Sequence, residues 1–368
     1  MIEQKSLVNH NLAVIDAYQL TAQDRVLQFS TISFDIFVEE VFPSLLCGAA
    51  VVLLDGQKFT DVAYLKSVIR QHNVSLINLP TAYWHSVVNE TFPACLTRVV
   101  IGGEKAETHK FKTWQRHNPN IRVINSYGPT ETTVIALLYD IPADSDDSQP
   151  IPLGKPIANT QVYIIDAQGR PAAIGIPGEL YIAGAGLARG YLNAPELSAE
   201  KFISNPQVMG GRWYKTGDLV RRLANGQIEY LGRIDQQVKI RGFRVELGEI
   251  EAALQLFTGI DDAVVIAKSQ GTSKQLVAFY QTPGGVAVEL EALKSHLRHY
   301  LPDYMMPVVF IALDKLPLTV NGKVNRNALA HYPLPTQALD HNTALETEFE
   351  HRLAELWRRF IRYCSSGR

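Results

Sequence analysis

Cysteine is scarce: Cys47, Cys95 and Cys364 stand far apart, and no Cys-x-x-Cys pair occurs in the 368 residues. That argues against a disulfide framework or a zinc site and fits a reducing, cytoplasmic setting. Long apolar runs are missing too. The longest, near Leu45–Leu54, falls well short of the ~20 residues a membrane span needs. The first residues, MIEQKSLVNH, hold no apolar core behind their charges, so they do not read as a secretory signal. Charge of one sign is lacking: Lys+Arg number 35 against Asp+Glu 37, with no basic field for nucleic acid or a membrane. Neither an internal repeat nor a long low-complexity tract is present.

What is there is a globular chain, 46% apolar and 20% charged, long enough for a large domain and a smaller one. Short apolar strands alternate with amphipathic helices. The pattern predicts helices over Leu7–Leu20, Phe34–Leu46, Val62–Gln71, Thr81–Val88 and Thr108–His117. It predicts strands over Val26–Phe29, Ala50–Leu54, Val74–Leu79, Arg98–Ile101 and Ile121–Asn125. Such alternation implies an α/β fold, a parallel sheet with helices on both faces. Ligands then bind at the carboxyl ends of the strands. Beyond Leu153 the strands shorten (Gln161–Asp166, Gly178–Ala183, Arg212–Lys215, Gln227–Tyr230) among Gly and Pro, which suggests a small β-barrel lobe.

Two strand-end loops carry chemistry. Gly102-Gly103-Glu104 lets backbone amides approach a ligand, although an ordinary turn has the same composition. Asn125-Ser-Tyr-Gly-Pro-Thr-Glu131 is richer. Tyr127 offers an aromatic face, Gly128-Pro129 a rigid turn, Thr130 a hydroxyl for phosphate and Glu131 a hard oxygen for Mg2+. A third stretch, Trp213–Glu251, places Asp218 after Gly217, then Arg233 and Asp235, then Lys239, Arg241 and Arg244 around Gly242, then a helix over Leu247–Phe257 ended by Gly259. A carboxylate at Asp218 can accept two hydroxyls, as a ribose diol requires. Further on, Leu316–Leu329 (LPLTVNGKVNRNAL) puts Lys323 after an Asn-Gly turn. Taken singly, each is commonly a capped turn or a solvated lysine.

The ordered combination resembles the adenylate-forming enzymes, in the branch that activates amino acids within nonribosomal peptide synthetases. The resemblance runs along nearly the whole chain. It implies an ATP-dependent ligase that makes an aminoacyl-AMP and passes the acyl group to a phosphopantetheine thiol, with Mg2+ as cofactor. Carried onto this sequence, it places Tyr127, Gly128, Tyr230, Asn125 and Gly103 around the nucleotide, Asp218 on the ribose, and Arg233 near ribose and phosphate. It gives Mg2+ to Glu131, phosphate to Thr130, and the adenylation step to Lys323. Asp235 becomes the hinge of a mobile lid, whose rotation exchanges Lys323 for the Lys239–Gly242 hairpin. Asp35, otherwise read as the N-cap of its helix, would hold the substrate's α-amino group. Ile36, Glu39, Asn78, Val100, Gly102, Ser126, Val134 and Ile135 would line the side-chain pocket. A carboxylate inside a pocket is costly unless paired, so Glu39 points to a polar or cationic substrate side chain.

The resemblance divides the chain into a partial α/β core (1–150), the β-barrel lobe (151–234), an α+β lid (235–330), a linker (331–343) and the start of a carrier-domain helix (344–368), with Leu345, Phe349, Leu353, Leu356 and Trp357 on its apolar side. It also departs from the family. The phosphate loop that should precede Leu7–Leu20 is not in this sequence, and IRYCSSGR fits no carrier pattern. The expectation is therefore a piece of a longer synthetase, with the downstream carrier and neighbouring modules as partners. A non-catalytic half that needs an upstream chain is one alternative, and an acyl-CoA or aryl-acid ligase of the same fold is another.

Overall fold

Three strands contribute to the wall on which the site is built. They are nearly continuous apolar runs, the composition of parallel strands covered on both faces. The computed structural model describes residues 1–54, 61–145, 149–205, 211–235, 237–240, 243–270, 273–282, 288–317, 324–334 and 352. Two units are distinguished, Met1–Leu316 and Pro317–Arg368.

The first unit begins with α1 (Gln4–Tyr18), β1 (Arg25–Gln28), α2 (Ile36–Leu46), β2 (Ala50–Leu53), α3 (Val62–His72), β3 (Leu76–Pro80), α4 (Thr81–Ser86), β4 (Arg98–Gly102), α5 (Thr108–His117) and β5 (Arg122–Tyr127). β6 (Leu137–Asp140) and β7 (Lys155–Pro156) follow. The sheet order is β2-β1-β3-β4-β5-β6-β7. β1 to β5 are parallel, as the alternation predicts. β6 pairs antiparallel with β5 and β7 antiparallel with β6, two strands whose direction the sequence does not show. The Gly128–Ile135 turn returns the chain directly beside β5 without a crossover helix, and only an antiparallel strand can follow such a turn.

Each face of this sheet has its own core. Leu65, Ile69, Trp84, Phe111 and Trp114 cover one. Val14, Tyr18 and Leu20 pack with Val26, Leu76, Val100 and Ile124 on the other. α1 begins three residues before the sequence suggests, because Gln4, Lys5 and Ser6 extend the helix without altering its apolar face. Among the described residues β2 is an edge strand, and Leu45, Leu46 and Leu53 are exposed.

Next come β8 (Thr160–Ile165), β9 (Gly178–Gly184), α6 (Pro195–Lys201), β10 (Phe202–Ser204), β11 (Arg212–Arg222) and β12 (Ile228–Arg233). They form an antiparallel sheet, β10-β11-β9-β8, with β12 also on β11. β10 takes the first residues of β11 and β12 the last. No pairing closes β8 onto β10 or β12 among the described residues, so the expected barrel is here a five-stranded sheet. β11 is longer than the four-residue strand expected, running through Gly217 and Asp218 with an irregular register.

The remainder of the unit is a hairpin, β13 (Val238–Ile240) and β14 (Phe243–Val245), then α7 (Leu247–Gln255), β15 (Asp262–Gln270), β16 (Ser273–Gln281), α8 (Leu290–Tyr300) and β17 (Val309–Leu313). β15, β16 and β17 form a sheet whose core is Ile250, Leu254, Val265, Leu276, Leu293 and Leu297. In the second unit, the Asn325 carboxamide caps α9 (Arg326–His331) by accepting from Ala328 N at 3.1 Å. Lys323, Arg241, Gly242 and the expected carrier helix, Arg352 apart, lie outside the described residues.

Candidate active site

β3, β4 and β5 end side by side, because Leu79, Ile101 and Asn125 are in register neighbours. Their ends open onto a cavity of about 390 Å³. All nine expected substrate residues, Asp35, Ile36, Glu39, Asn78, Val100, Gly102, Ser126, Val134 and Ile135, line it, with Gly103 and Gly128. Two glycines make the close packing possible. A Cβ on Gly128 would sit 2.4 Å from Ile135 Cα, and one on Gly102 would sit 2.5 Å from Ser126 Oγ. Neither position admits a side chain without moving the wall.

Asp35 precedes α2 but does not cap it. Its backbone is already helical and its carboxylate makes no bond to the helix amides, a correction to the N-cap expectation. Instead it accepts a hydrogen bond from Thr130 Oγ1. Burial pushes the Asp35 carboxyl up, against the Thr130 bond, and Glu39 and Glu131 add to the rise. A carboxylate so held gains most from an arriving cation. Glu39 is buried. Its Oε1 accepts from Tyr18 OH at 2.7 Å and from Asn78 Nδ2 at 3.1 Å. Its Oε2 faces His10 Nε2 at 3.5 Å.

A second cluster gathers the expected nucleotide residues. Tyr127, at the end of β5, donates its hydroxyl to Asp218 Oδ2. Arg233 NH1 donates to Asp218 Oδ1 at 2.7 Å, and Arg233 also forks onto Asp235 at 2.5 and 2.6 Å. Burial, then Asp218, push the Tyr127 phenol well above its usual range. Burial lowers the basicity of Arg233, but its two carboxylates outweigh that and raise it. Tyr230 is half-buried, its phenol pushed up to about 12 by burial and Asp218. Asn125, two residues before Tyr127 on β5, is buried, and its amide donates to Pro152 O at 2.8 Å, a bond that ties β5 to the loop before β7.

The hairpin β13–β14 stands at the same place. Lys239 Nζ lies 6.0 Å from the Tyr127 ring centre. Burial depresses the Lys239 ammonium, with Asp218 pulling the other way. Arg244 NH1 donates to Glu131 Oε2 at 2.8 Å, while Tyr191 OH donates to Glu131 Oε1 at 2.7 Å. Burial raises the Glu131 carboxyl, yet Arg244 and the Tyr191 hydroxyl hold it below the usual range. Among the described residues no three His, Cys, Asp or Glu side chains gather to hold a metal. Glu131 thus presents one carboxylate at this turn, with one oxygen engaged by Arg244 and the other by Tyr191.

Sequence reasoning missed five participants. Arg244 was legible only as one basic residue in a hairpin. Tyr191 stands between β9 and α6, in a stretch to which the sequence assigned no role. Tyr18 and His10 reach Glu39 from a helix with no motif. Phe243 joins the cavity wall, 6.0 Å from the Phe34 ring and stacked at 4.3 Å on Tyr304. Its signal is an aromatic residue at a hairpin tip.

Comparison with known proteins gives the architecture a context. The chain is 42% identical over 350 residues to bacitracin synthase 3 of Bacillus licheniformis, covering 95% of this chain and 6% of that protein. It is 40% identical over 344 residues to surfactin synthase subunit 1 of Bacillus subtilis (strain 168), covering 92% of this chain and 10% of that one. The chain thus spans a small fraction of the curated relatives it matches. Among solved structures, a Vibrio cholerae adenylation domain in complex with glycyl-adenosine-5′-phosphate superposes with a TM-score of 0.78 at 26% identity, over 89% of this chain and 62% of that one. A synthetase protein containing adenylation and carrier domains gives 0.73 at 30% identity, over 84% and 53%. The fold is that of the adenylate-forming enzymes. A family model described as AMP-binding enzyme C-terminal domain matches residues 249–323. Another, described as AMP-binding enzyme, matches residues 1–192, more than half of the sequence, and the chain belongs to that family.

Proposed function

We propose that this chain activates an α-amino acid at the expense of ATP, as part of a nonribosomal peptide synthetase. A carboxylate is a poor electrophile. One of its oxygens attacks the α-phosphorus of ATP, the bond to the β-phosphate bridge breaks, and pyrophosphate leaves. The aminoacyl-AMP then loses AMP to a phosphopantetheine thiol on a carrier domain, whose sulfur takes the acyl carbon. Such a site must bind, orient and neutralise charge. Asp35 binds the α-ammonium at the cavity. Tyr127 and Tyr230 flank the nucleoside, Asp218 takes the ribose hydroxyls, and Arg233 lies near ribose and phosphate. Thr130 reaches phosphate once released from Asp35. Mg2+, held by Glu131 and phosphate oxygens, would offset the triphosphate charge. Lys323 bridges carboxylate and phosphate as a point charge. Asp235 is the hinge, and Lys239 serves the conformation for thiol transfer. The proposed parts remain the core to residue 150, the lobe to 234, the lid to 330, the linker and the carrier segment.

One observation carries this reading. The cavity bearing Asp35 and the Tyr127–Asp218–Arg233 cluster meet at one turn, Gly128–Glu131. Glu39 and Asn78 in the wall support a polar or cationic side chain, such as lysine, ornithine or arginine. Amino-acid-dependent ATP–pyrophosphate exchange tests it, on this chain and with an upstream segment supplied. Exchange that peaks on those amino acids is expected. A peak on leucine or phenylalanine refutes the cationic assignment. No exchange in either form refutes amino-acid activation.

A further inference from the structure

One side chain belongs to both clusters. Thr130 is exposed, in the turn that follows β5, and its Oγ1 donates to the half-buried Asp35, on the cavity wall. Three residues before it, Tyr127 donates to Asp218. Next to it, Glu131 accepts from Arg244 and Tyr191. The backbone of this turn is tied down. Thr132 N donates to Pro129 O at 2.9 Å, Thr133 N to Thr130 O at 3.0 Å, and Ala136 N to Tyr127 O at 2.8 Å. Glu131 O accepts from Ala188 N at 2.9 Å. A change of partner for the Thr130 hydroxyl therefore needs a turn of the side chain between staggered wells, not a movement of the chain.

A hydroxyl has one proton to donate. A carboxylate and the phosphate oxygens of a nucleotide are both acceptors, so Thr130 can serve one or the other, but not both. In the structure it serves Asp35. The helix amides of α2 give that carboxylate nothing. Burial raises its carboxyl, the Thr130 bond opposes the rise, and Glu39 and Glu131 add to it. Taking the hydroxyl for phosphate strips Asp35 of a donor, which costs free energy and opposes nucleotide binding. An α-ammonium on Asp35 supplies charged donors instead and removes that opposition.

We propose that Thr130 couples the two substrates: the α-ammonium of the amino acid takes over Asp35, and the hydroxyl so released is donated to a phosphate of ATP. This rests on the amino-acid-activating reading of the cavity and deepens it. Amino acid and nucleotide then bind with positive cooperativity, each raising the affinity for the other by the same factor. No covalent bond changes in the exchange.

Equilibrium binding tests this, on the chain alone and with an upstream segment supplied. The nucleotide is an ATP analogue with a methylene group in place of the α,β-bridging oxygen, which cannot release pyrophosphate. Its Kd is measured without amino acid and with saturating lysine, ornithine, arginine, leucine or phenylalanine. Wild type, Thr130→Val and Thr130→Ser are compared. An amino acid that binds is expected to lower the wild-type Kd about fivefold. Thr130→Ser keeps the hydroxyl and should keep that factor. Thr130→Val keeps the shape of the side chain and should lose most of it. Attraction through space between the ammonium and the phosphates acts in all three proteins, so the difference between them isolates the hydroxyl. A merely structural Thr130 would weaken binding in Thr130→Val and leave the factor unchanged, which overturns the proposal. A wild-type Kd indifferent to a bound amino acid overturns it too, with no variant needed. If leucine or phenylalanine binds and the cationic amino acids do not, the cationic reading of the cavity fails, and the coupling is still read with the one that binds. If the analogue binds and none of the amino acids does, amino-acid activation itself fails, and the coupling falls with it.

Discussion

Arg244 of the β13–β14 hairpin donates to Glu131 of the strand-end turn, NH1 to Oε2 at 2.8 Å, across 113 residues of sequence. The carboxylate proposed to hold Mg2+ is thus engaged by a guanidinium while the hairpin stands over the core. A cation and Arg244 at one carboxylate repel each other. Docking of the hairpin and binding of the ion should therefore oppose each other, with a reciprocal coupling between them. Arg244→Gln is expected to lower the Mg2+ concentration at half-maximal exchange by about fivefold. It should also speed amide hydrogen exchange over 238–240 and 243–245. An unchanged Mg2+ requirement would refute the competition.

Asp218 is 3% exposed and accepts from both Tyr127 and Arg233. Asp218→Ala leaves that guanidinium half-paired and the phenol unbonded. Breaking a buried pair from one side costs about 3–5 kcal/mol. The lower end is expected, because Arg233 keeps its fork on Asp235. Urea unfolding measures this. The KM for ATP should rise while the order of amino acid preference stays the same. A variant with wild-type stability and wild-type ATP affinity would remove Asp218 from the nucleotide site.

Half-buried Lys239 lies by the Tyr127 ring, and burial depresses its ammonium. Its proposed task belongs to thiol transfer, not adenylation. Lys239→Ala should leave pyrophosphate exchange within severalfold of wild type. Loading of a phosphopantetheinylated carrier should fall by about 10²-fold, the scale of losing one oriented charge donor. Equal losses in both assays would show that the hairpin serves the site in general.

The cavity was legible before the structure because its residues sit at strand ends and in local strings. Asn78 lies in β3, Gly102 ends β4, Ser126 lies near the end of β5, and Val134 and Ile135 close the turn that follows it. The strand-helix alternation placed them together. What could not be read depends on packing between distant segments. Arg244 meets Glu131 only through the placement of the hairpin, and His10 meets Glu39 only through the face α1 lays on α2. The antiparallel return at β6 was hidden as well, since Leu137–Asp140 is too short for its apolar pattern to show direction. Asp35 stands where a helix cap would be, but its carboxylate accepts from Thr130 and lines the cavity, and only the backbone angles rule out the cap.

Glu40 gives a prediction in pH. It is fully buried and holds the β1–α2 loop, where its carboxyl accepts from Phe29 N at 3.2 Å and from Ser30 N at 3.0 and 3.1 Å. Burial outweighs those donors and pushes the group from 4.5 up to about 8. The unfolded chain releases this proton near 4.5, and the folded chain keeps it to about 8. Between those values the folded state binds more protons, so stability falls as pH rises. The contribution is complete below the unfolded value and gone above the folded one. Glu40→Gln removes the titration while keeping the size of the side chain. The difference in unfolding free energy between wild type and variant should fall by roughly 1.4 kcal/mol per pH unit across that window. Urea midpoints at several pH values measure it. A difference independent of pH would mean that the Ser30 and Phe29 amides hold Glu40 ionised throughout.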